Sequence, residues 1–105
     1  PVRFQVANYL GRPWKKFAKT VIMQTEIGDL IRPQGYIEWQ GETFEKTSEY
    51  LEFANRGPGA VAPRNKNFTR SRFIDGREAS LYTVDIFIQG HRWLRATGVP
   101  FTPGL

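Results

Sequence analysis

Hydrophobic and polar positions change rhythm several times along the chain, and each change marks an element. Val2, Phe4 and Val6 alternate with Arg3 and Gln5, the period of two expected of a half-buried strand over the first eight residues. A Gly-Arg-Pro-Trp corner follows at Gly11 to Trp14. Lys19 to Ile27 then carries Val21, Ile22 and Met23 in succession, which predicts a strand covered on both faces, as in parallel sheets. Asp29 to Gly41 is interrupted by Pro33, Gly35 and Gly41 and reads as loop, with one short extended piece at Tyr36 to Trp39. Alternation returns at Ser48 to Asn55, where Leu51 and Phe53 oppose Tyr50 and Glu52, and the Arg56-Gly57-Pro58-Gly59 breaker ends it.

Pro63 to Arg72 is polar and basic with no apolar period, the pattern of a solvated loop. Asp75, with Glu78 three residues on, has the form of a capping box for a short helix through Ala79 and Leu81. Thr83 offers a second cap, for a helix over Val84 to Gln89 that Gly90 would close, with Val84, Phe87 and Ile88 on one face. From Trp93 onward, Gly98, Pro100, Pro103 and Gly104 predict an extended strap.

Strands separated by long loops, without Asn-Gly hairpin signals, favour parallel stacking. No crossover helix of ordinary length lies between them, which disfavours an α/β sheet and leaves a solenoid. Stacked coils need about three repeats to cover a core, and the chain supplies fewer. The pattern therefore predicts the carboxyl-terminal piece of a longer solenoid, and the first residue, Pro1 rather than Met, fits an upstream segment removed or omitted.

Composition sets the outer bounds. The 105 residues suit one domain, and 40% apolar with 14% aromatic content supports a core. Fifteen Lys and Arg against ten Asp and Glu give a net charge of +5, which suits a polyanionic partner: nucleic acid, acidic polysaccharide or anionic membrane. The absence of cysteine excludes a disulfide framework and zinc–thiolate sites. No apolar run approaches the roughly 20 residues that cross a bilayer, and no signal peptide is visible at the amino end.

Most catalytic chemistries find no support. Ser48, Ser71 and Ser80 lack the glycine frame of a nucleophile elbow, and the single histidine, His91, falls in a turn after Gly90, a surface position. One histidine with scattered carboxylates makes no metal site, so no metal and no cofactor is expected. Glu49 and Glu52 would point to opposite faces of a strand and cannot flank one glycosidic bond. Gly57-Pro58-Gly59-Ala60 lacks the Lys-Ser of a phosphate loop. The corner remains. Pro13 fixes its own φ and holds Arg12 extended, while Gly11 lets a neighbouring backbone approach closely. A guanidinium held this way can grip a carboxylate through two parallel hydrogen bonds, and Trp14 offers a flat face to a sugar ring. A structural arginine beside a packed tryptophan fits the same five residues.

Four blocks in order resemble the carboxyl-terminal part of plant pectin methylesterases (pectinesterases): YLGRPWKKFAKTVIMQTEIGDLI, PQGYIEWQGE, Thr47 with SEYLEFANRGPGA, and FIQGHRWLRATGVPFTPGL. The resemblance runs from about Tyr9 to Leu105, and residues 1–105 read as the carboxyl-terminal part of one catalytic domain. It implies an all-β fold, a right-handed single-stranded parallel β-helix represented by its last coils, with short terminal helices and an extended tail. It implies hydrolysis of galacturonate methyl esters in homogalacturonan, giving pectate and methanol, by a nucleophilic aspartate, an acid/base aspartate and oxyanion-stabilising glutamines. All of these would lie upstream, so no catalytic residue is expected in this chain. Arg12 matches the arginine that orients the nucleophile and sits at the substrate carboxylate; Trp14 matches the cleft tryptophan on which a sugar stacks.

The same resemblance implies a secreted protein of the plant cell wall, with pectin as partner and a proteinaceous pectinesterase inhibitor as a further one, and neither nucleic acid nor membrane. Two departures stand out. Arg64-Asn65-Lys66-Asn67 replaces a segment that carries an aromatic in many relatives, and Tyr36 stands where many have tryptophan, keeping an aromatic platform. Asn67-Phe68-Thr69 is an N-glycosylation triplet. Two other readings stay open at this point: a non-catalytic module that holds pectin through Arg12, Trp14 and the basic loop, and a basic nucleic-acid binder, for which no module signature is present.

Overall fold

A computed structural model of the chain describes residues 6–105. Most of the strand expected over the first eight residues lies outside the described part; within it, Asn8 forms a single parallel bridge to Ile31. The chain divides into two compact units, one ending at Arg72 and one running from Phe73 to Leu105.

The first unit is organised by parallel pairing between segments about 25 to 30 residues apart. Strand β1 (Lys19–Met23) pairs in parallel with β2 (Glu49–Phe53), Lys19 opposite Glu49 and Met23 opposite Phe53. Isolated parallel bridges extend the relation on both sides, Gly11 to Tyr36 and Glu26 to Arg56. A short strand β3 (Ser71–Phe73) follows β2, so the sheet order β1-β2-β3 is sequential. Parallel neighbours cannot be joined by tight hairpins, which accounts for the long connections between the strands.

The turns after β1 and β2 repeat each other. Gln24 and Ala54 both take the left-handed backbone region, at φ +51° and +50°, directly after the paired strand ends. Gln24 N donates to Phe53 O at 2.8 Å, and Asn55 then staples the two turns: its Oδ1 accepts from Thr25 N at 2.9 Å and its Nδ2 donates to Ile22 O at 3.0 Å. Side-chain amides of this kind satisfy backbone groups that a bend withdraws from the ladder. Gly59 lies against the preceding turn so closely that a Cβ there would stand 2.2 Å from Gly28 O. Only glycine fits that contact.

Burial departs from the sequence expectation in an informative way. β1, expected to be covered on both faces, is half-buried and forms one edge of the sheet. β2, expected to alternate, has Tyr50, Leu51 and Glu52 all buried. The core beside it is aromatic: Tyr36 stacks on Tyr50 with centroids 4.1 Å apart, and Phe68 packs 5.7 Å from each ring. Tyr36 is fully buried and therefore is core, not the exposed platform the sequence suggested.

The basic segment Pro63 to Arg72 is likewise not simply a solvated loop. Arg64 is buried and donates to Glu52 through Nε (2.8 Å) and Nη2 (2.9 Å), to Gly59 O through Nη2 (2.9 Å) and to Pro33 O through Nη1 (3.1 Å). The Tyr36 hydroxyl donates to Glu52 Oε2, completing a buried triad. The bonds to Glu52 raise the pKa of the Arg64 guanidinium further, and burial, reinforced by Glu52, raises that of the Tyr36 phenol well above its ordinary value. A carboxylate this deep in an apolar strand requires a paired cation, and the fork of an arginine satisfies both oxygens at once.

In the second unit, α1 (Gly76–Ala79) starts as expected, with the Asp75 carboxylate accepting from Glu78 N at 2.9 Å. A 3-10 turn over Ser80–Tyr82 continues it. Thr83 does not cap α2 (Val84–Ile88) with its side chain, because its hydroxyl donates back to Ser80 O. α2 ends at Gln89 in the left-handed region, and Gly90 opens a further helix, α3 (Gly90–Trp93), instead of closing the previous one. Val84 is half-buried, whereas Phe87 and Ile88 are exposed. His91 is on this helix, not in a turn; it is exposed and lies 3.5 Å from Asp85. A 3-10 turn at Arg95–Thr97 shortens the strap to the residues from Gly98 onward, and Asp85 N fastens it by donating to Pro103 O at 3.1 Å.

Candidate functional site

The Gly11 to Trp14 corner is pinned by three independent contacts. Leu10 N donates to Gly35 O at 2.7 Å and Ile37 N to Gly11 O at 3.3 Å, the two bonds that bracket the Gly11–Tyr36 bridge. Pro13 is fully buried. Gly11 also faces a side chain: a Cβ there would stand 3.0 Å from both Cε1 and the hydroxyl oxygen of Tyr50. The close neighbour anticipated for Gly11 is thus a core ring as well as a backbone.

Arg12 emerges from this anchored base into solvent. Its Nε donates to Glu38 O at 3.2 Å, and its guanidinium carbon lies 4.9 Å from the ring centre of Trp39. An arginine plane over an indole is attracted by the ring's quadrupole, and the contact restricts where the cation can go. The bond to Glu38 uses Nε and leaves the two Nη amino groups for an anionic partner. Arg12 forms no ion pair among the described residues.

Arg12 and Trp39 line an open cleft of about 490 Å³, together with Asn8, Tyr9, Gly11 and Ile37. Trp14, expected beside Arg12 on one groove wall, is not among the lining residues. It is 65% exposed, and the Lys15 ammonium sits 4.6 Å from its ring centre. The structure therefore brings Arg12 together with Trp39, a residue the sequence reading placed only at the end of an extended piece. The signal was available: Tyr36 faces Gly11 across the bridge, so the residues just after it run beside Arg12. Among the described residues no group of three His, Asp or Glu side chains could hold a metal ion.

A sequential sheet with parallel pairing, bearing an anchored cation and an indole beside an open cleft, defines a stacked-strand protein whose side could receive an anionic ring compound. Comparison with known proteins makes the assignment specific. The pectinesterase family model matches residues 1–91, and the chain belongs to the pectinesterase family. It is 48% identical to Pectinesterase 4 of Arabidopsis thaliana over 105 residues, all of this chain and 18% of that protein. It is 45% identical to the Probable pectinesterase/pectinesterase inhibitor 36 of the same plant over 105 residues, 99% of this chain and 20% of the relative. Its fold superposes on pectin methylesterase from carrot with a TM-score of 0.81 at 38% identity, covering 92% of this chain and 31% of the carrot protein. The chain spans about a fifth of the length of the curated relatives it matches.

Proposed function

We propose that the chain is the distal portion of a pectinesterase catalytic domain, in which its parallel strands are the last coils of a right-handed β-helix. The activity is hydrolysis of methyl esters on homogalacturonan, releasing methanol and leaving pectate, in modification of the plant cell wall. The single observation that carries this reading is the anchored Arg12 guanidinium at the cleft, its Nε held by Glu38 O and its face held by Trp39.

In this reading the nucleophilic and acid/base aspartates belong to polypeptide ahead of the chain. Arg12 keeps the attacking carboxylate ionised, since a fixed cation nearby favours the charged form, and it orients that carboxylate through paired hydrogen bonds. Trp14, exposed next to the corner, supplies a stacking face for a sugar further along the polymer. The net charge of +5 supports retention by a substrate that grows more anionic as ester groups leave. The protein is secreted to the cell wall, and a proteinaceous inhibitor is a partner; the combined name of one relative supports the latter.

Methanol release from methyl-esterified pectin tests the assignment. The 105-residue chain alone is expected to release none, whereas the full-length natural protein releases methanol; turnover by the isolated chain would contradict the placement of the nucleophile.

A further inference from the structure

Asn67-Phe68-Thr69 is the one Asn-x-Ser/Thr triplet in the chain, and the function above makes no use of it. The turn that carries it is tied down on both sides of the asparagine. Before it, Asn65 N donates to Gln34 O at 2.8 Å, Asn65 Nδ2 donates to Tyr36 O at 3.0 Å, and Asn65 Oδ1 accepts from Asn67 N at 3.0 Å. After it, Phe68 N donates to Asn65 O at 3.1 Å, and the Phe68 ring is buried between Tyr36 and Tyr50. Residues 65 and 68 are thus drawn inward, while Asn67 and Thr69 are exposed. The turn leads into β3, at the opposite edge of the sheet from β1. A further strand stacked on the open edge of β1 would leave it uncovered.

We propose that Asn67 is an N-glycosylation site. The inference rests on the secreted reading given above, because the sugar donor and its transferase belong to the secretory path. In the transfer, Asn67 Nδ2 attacks the anomeric carbon of a lipid-pyrophosphate-linked oligosaccharide. The new C–N bond forms as the C–O bond to the pyrophosphate breaks, the lipid pyrophosphate leaves with the electron pair, and the amide gives up one proton. The Thr69 hydroxyl is the second element of the recognised triplet. Transfer takes place on the emerging chain; the folded structure decides whether a bulky hydrophilic adduct can stay. At Asn67 it projects from a turn whose neighbours are fixed. At Asn65 the same adduct would break the amide's bond to Tyr36 O.

The test is secretory expression of the full-length protein behind a heterologous leader in a eukaryotic host, which reads the site without depending on the natural protein's address. The Asn67 peptide should carry a glycan that enzymatic amide cleavage removes, converting position 67 to aspartate. The electrophoretic shift should disappear in Asn67→Gln and Thr69→Ala and persist in Thr69→Ser. Recovery of the secreted protein with its Asn67 peptide unmodified overturns the proposal, as does a shift retained in Thr69→Ala. A glycan present on the leader-driven protein but absent from protein isolated from plant tissue counts against the secreted reading and leaves the site standing.

Discussion

Replacing Arg64 by alanine removes four hydrogen bonds at once, two to Glu52 and one each to Gly59 O and Pro33 O. What remains around the Glu52 carboxylate is the Tyr36 hydroxyl and Asn55 Nδ2 at 3.4 Å. Both partners of the ion pair have side chains only 2% exposed, so the surviving charge cannot turn to solvent. Breaking a buried pair on one side costs about 3–5 kcal/mol. With a urea dependence of about 2 kcal/mol per molar, that corresponds to a midpoint lowered by about 2 M. Urea unfolding of the full-length protein, followed by tryptophan fluorescence, gives the measurement. Arg64→Lys should fall between, because an ammonium cannot meet both oxygens in parallel. The double replacement Glu52→Leu with Arg64→Met should recover most of the loss, since two apolar side chains leave no charge stranded. A midpoint for Arg64→Ala within about 0.5 M of wild type, equivalent to about 1 kcal/mol, would refute the reasoning.

Two further expectations follow from the same core. Burial first, and then Glu52, hold the Tyr36 phenol protonated, and burial raises Tyr50 as well; their stabilisation is complete below pH about 10 and is lost as the pH rises beyond it, because the unfolded phenols ionise first. Unfolding monitored against tyrosinate absorbance should show this alkaline limb, reduced in Tyr36→Phe; a flat profile to pH about 12 would contradict it. Gly59→Ala places a Cβ 2.2 Å from Gly28 O and 2.5 Å from Ile27 Cγ2, and the overpacking should cost about 1–3 kcal/mol by calorimetry; an unchanged melting temperature would show that the turns can part freely.

Hydrophobic rhythm was enough to find β2 and the parallel, sequential arrangement, because long connections without hairpin turns leave few other solutions. It misjudged burial where the chain places charge inside. Glu52 among Tyr50, Leu51 and Phe53 was itself the clue: a carboxylate in a strand covered on both faces demands a cation, and Arg64 lies 12 residues on. Local composition could not supply that pairing, since the surrounding Lys66, Asn67 and Arg70 are exposed and mask the one arginine that is not. Gly90 misled for a different reason. It reads as a helix stop, yet its role is steric, because a Cβ would meet Val84 Cγ1 at 2.2 Å, and Gln89 takes the left-handed conformation in its place. At the site, the stiffness of the corner and the exposure of Arg12 were legible. Trp39 was not, because its approach depends on a bridge between residues 25 positions apart in the chain.

Steady-state methanol release from methyl-esterified pectin by the full-length protein, wild type against Arg12→Ala, bears most directly on the central claim. If Arg12 holds the attacking carboxylate, kcat should fall about a hundredfold or more, with the urea midpoint unchanged because the side chain is exposed and unpaired with any described carboxylate. Wild-type turnover from the Arg12→Ala enzyme would contradict the account.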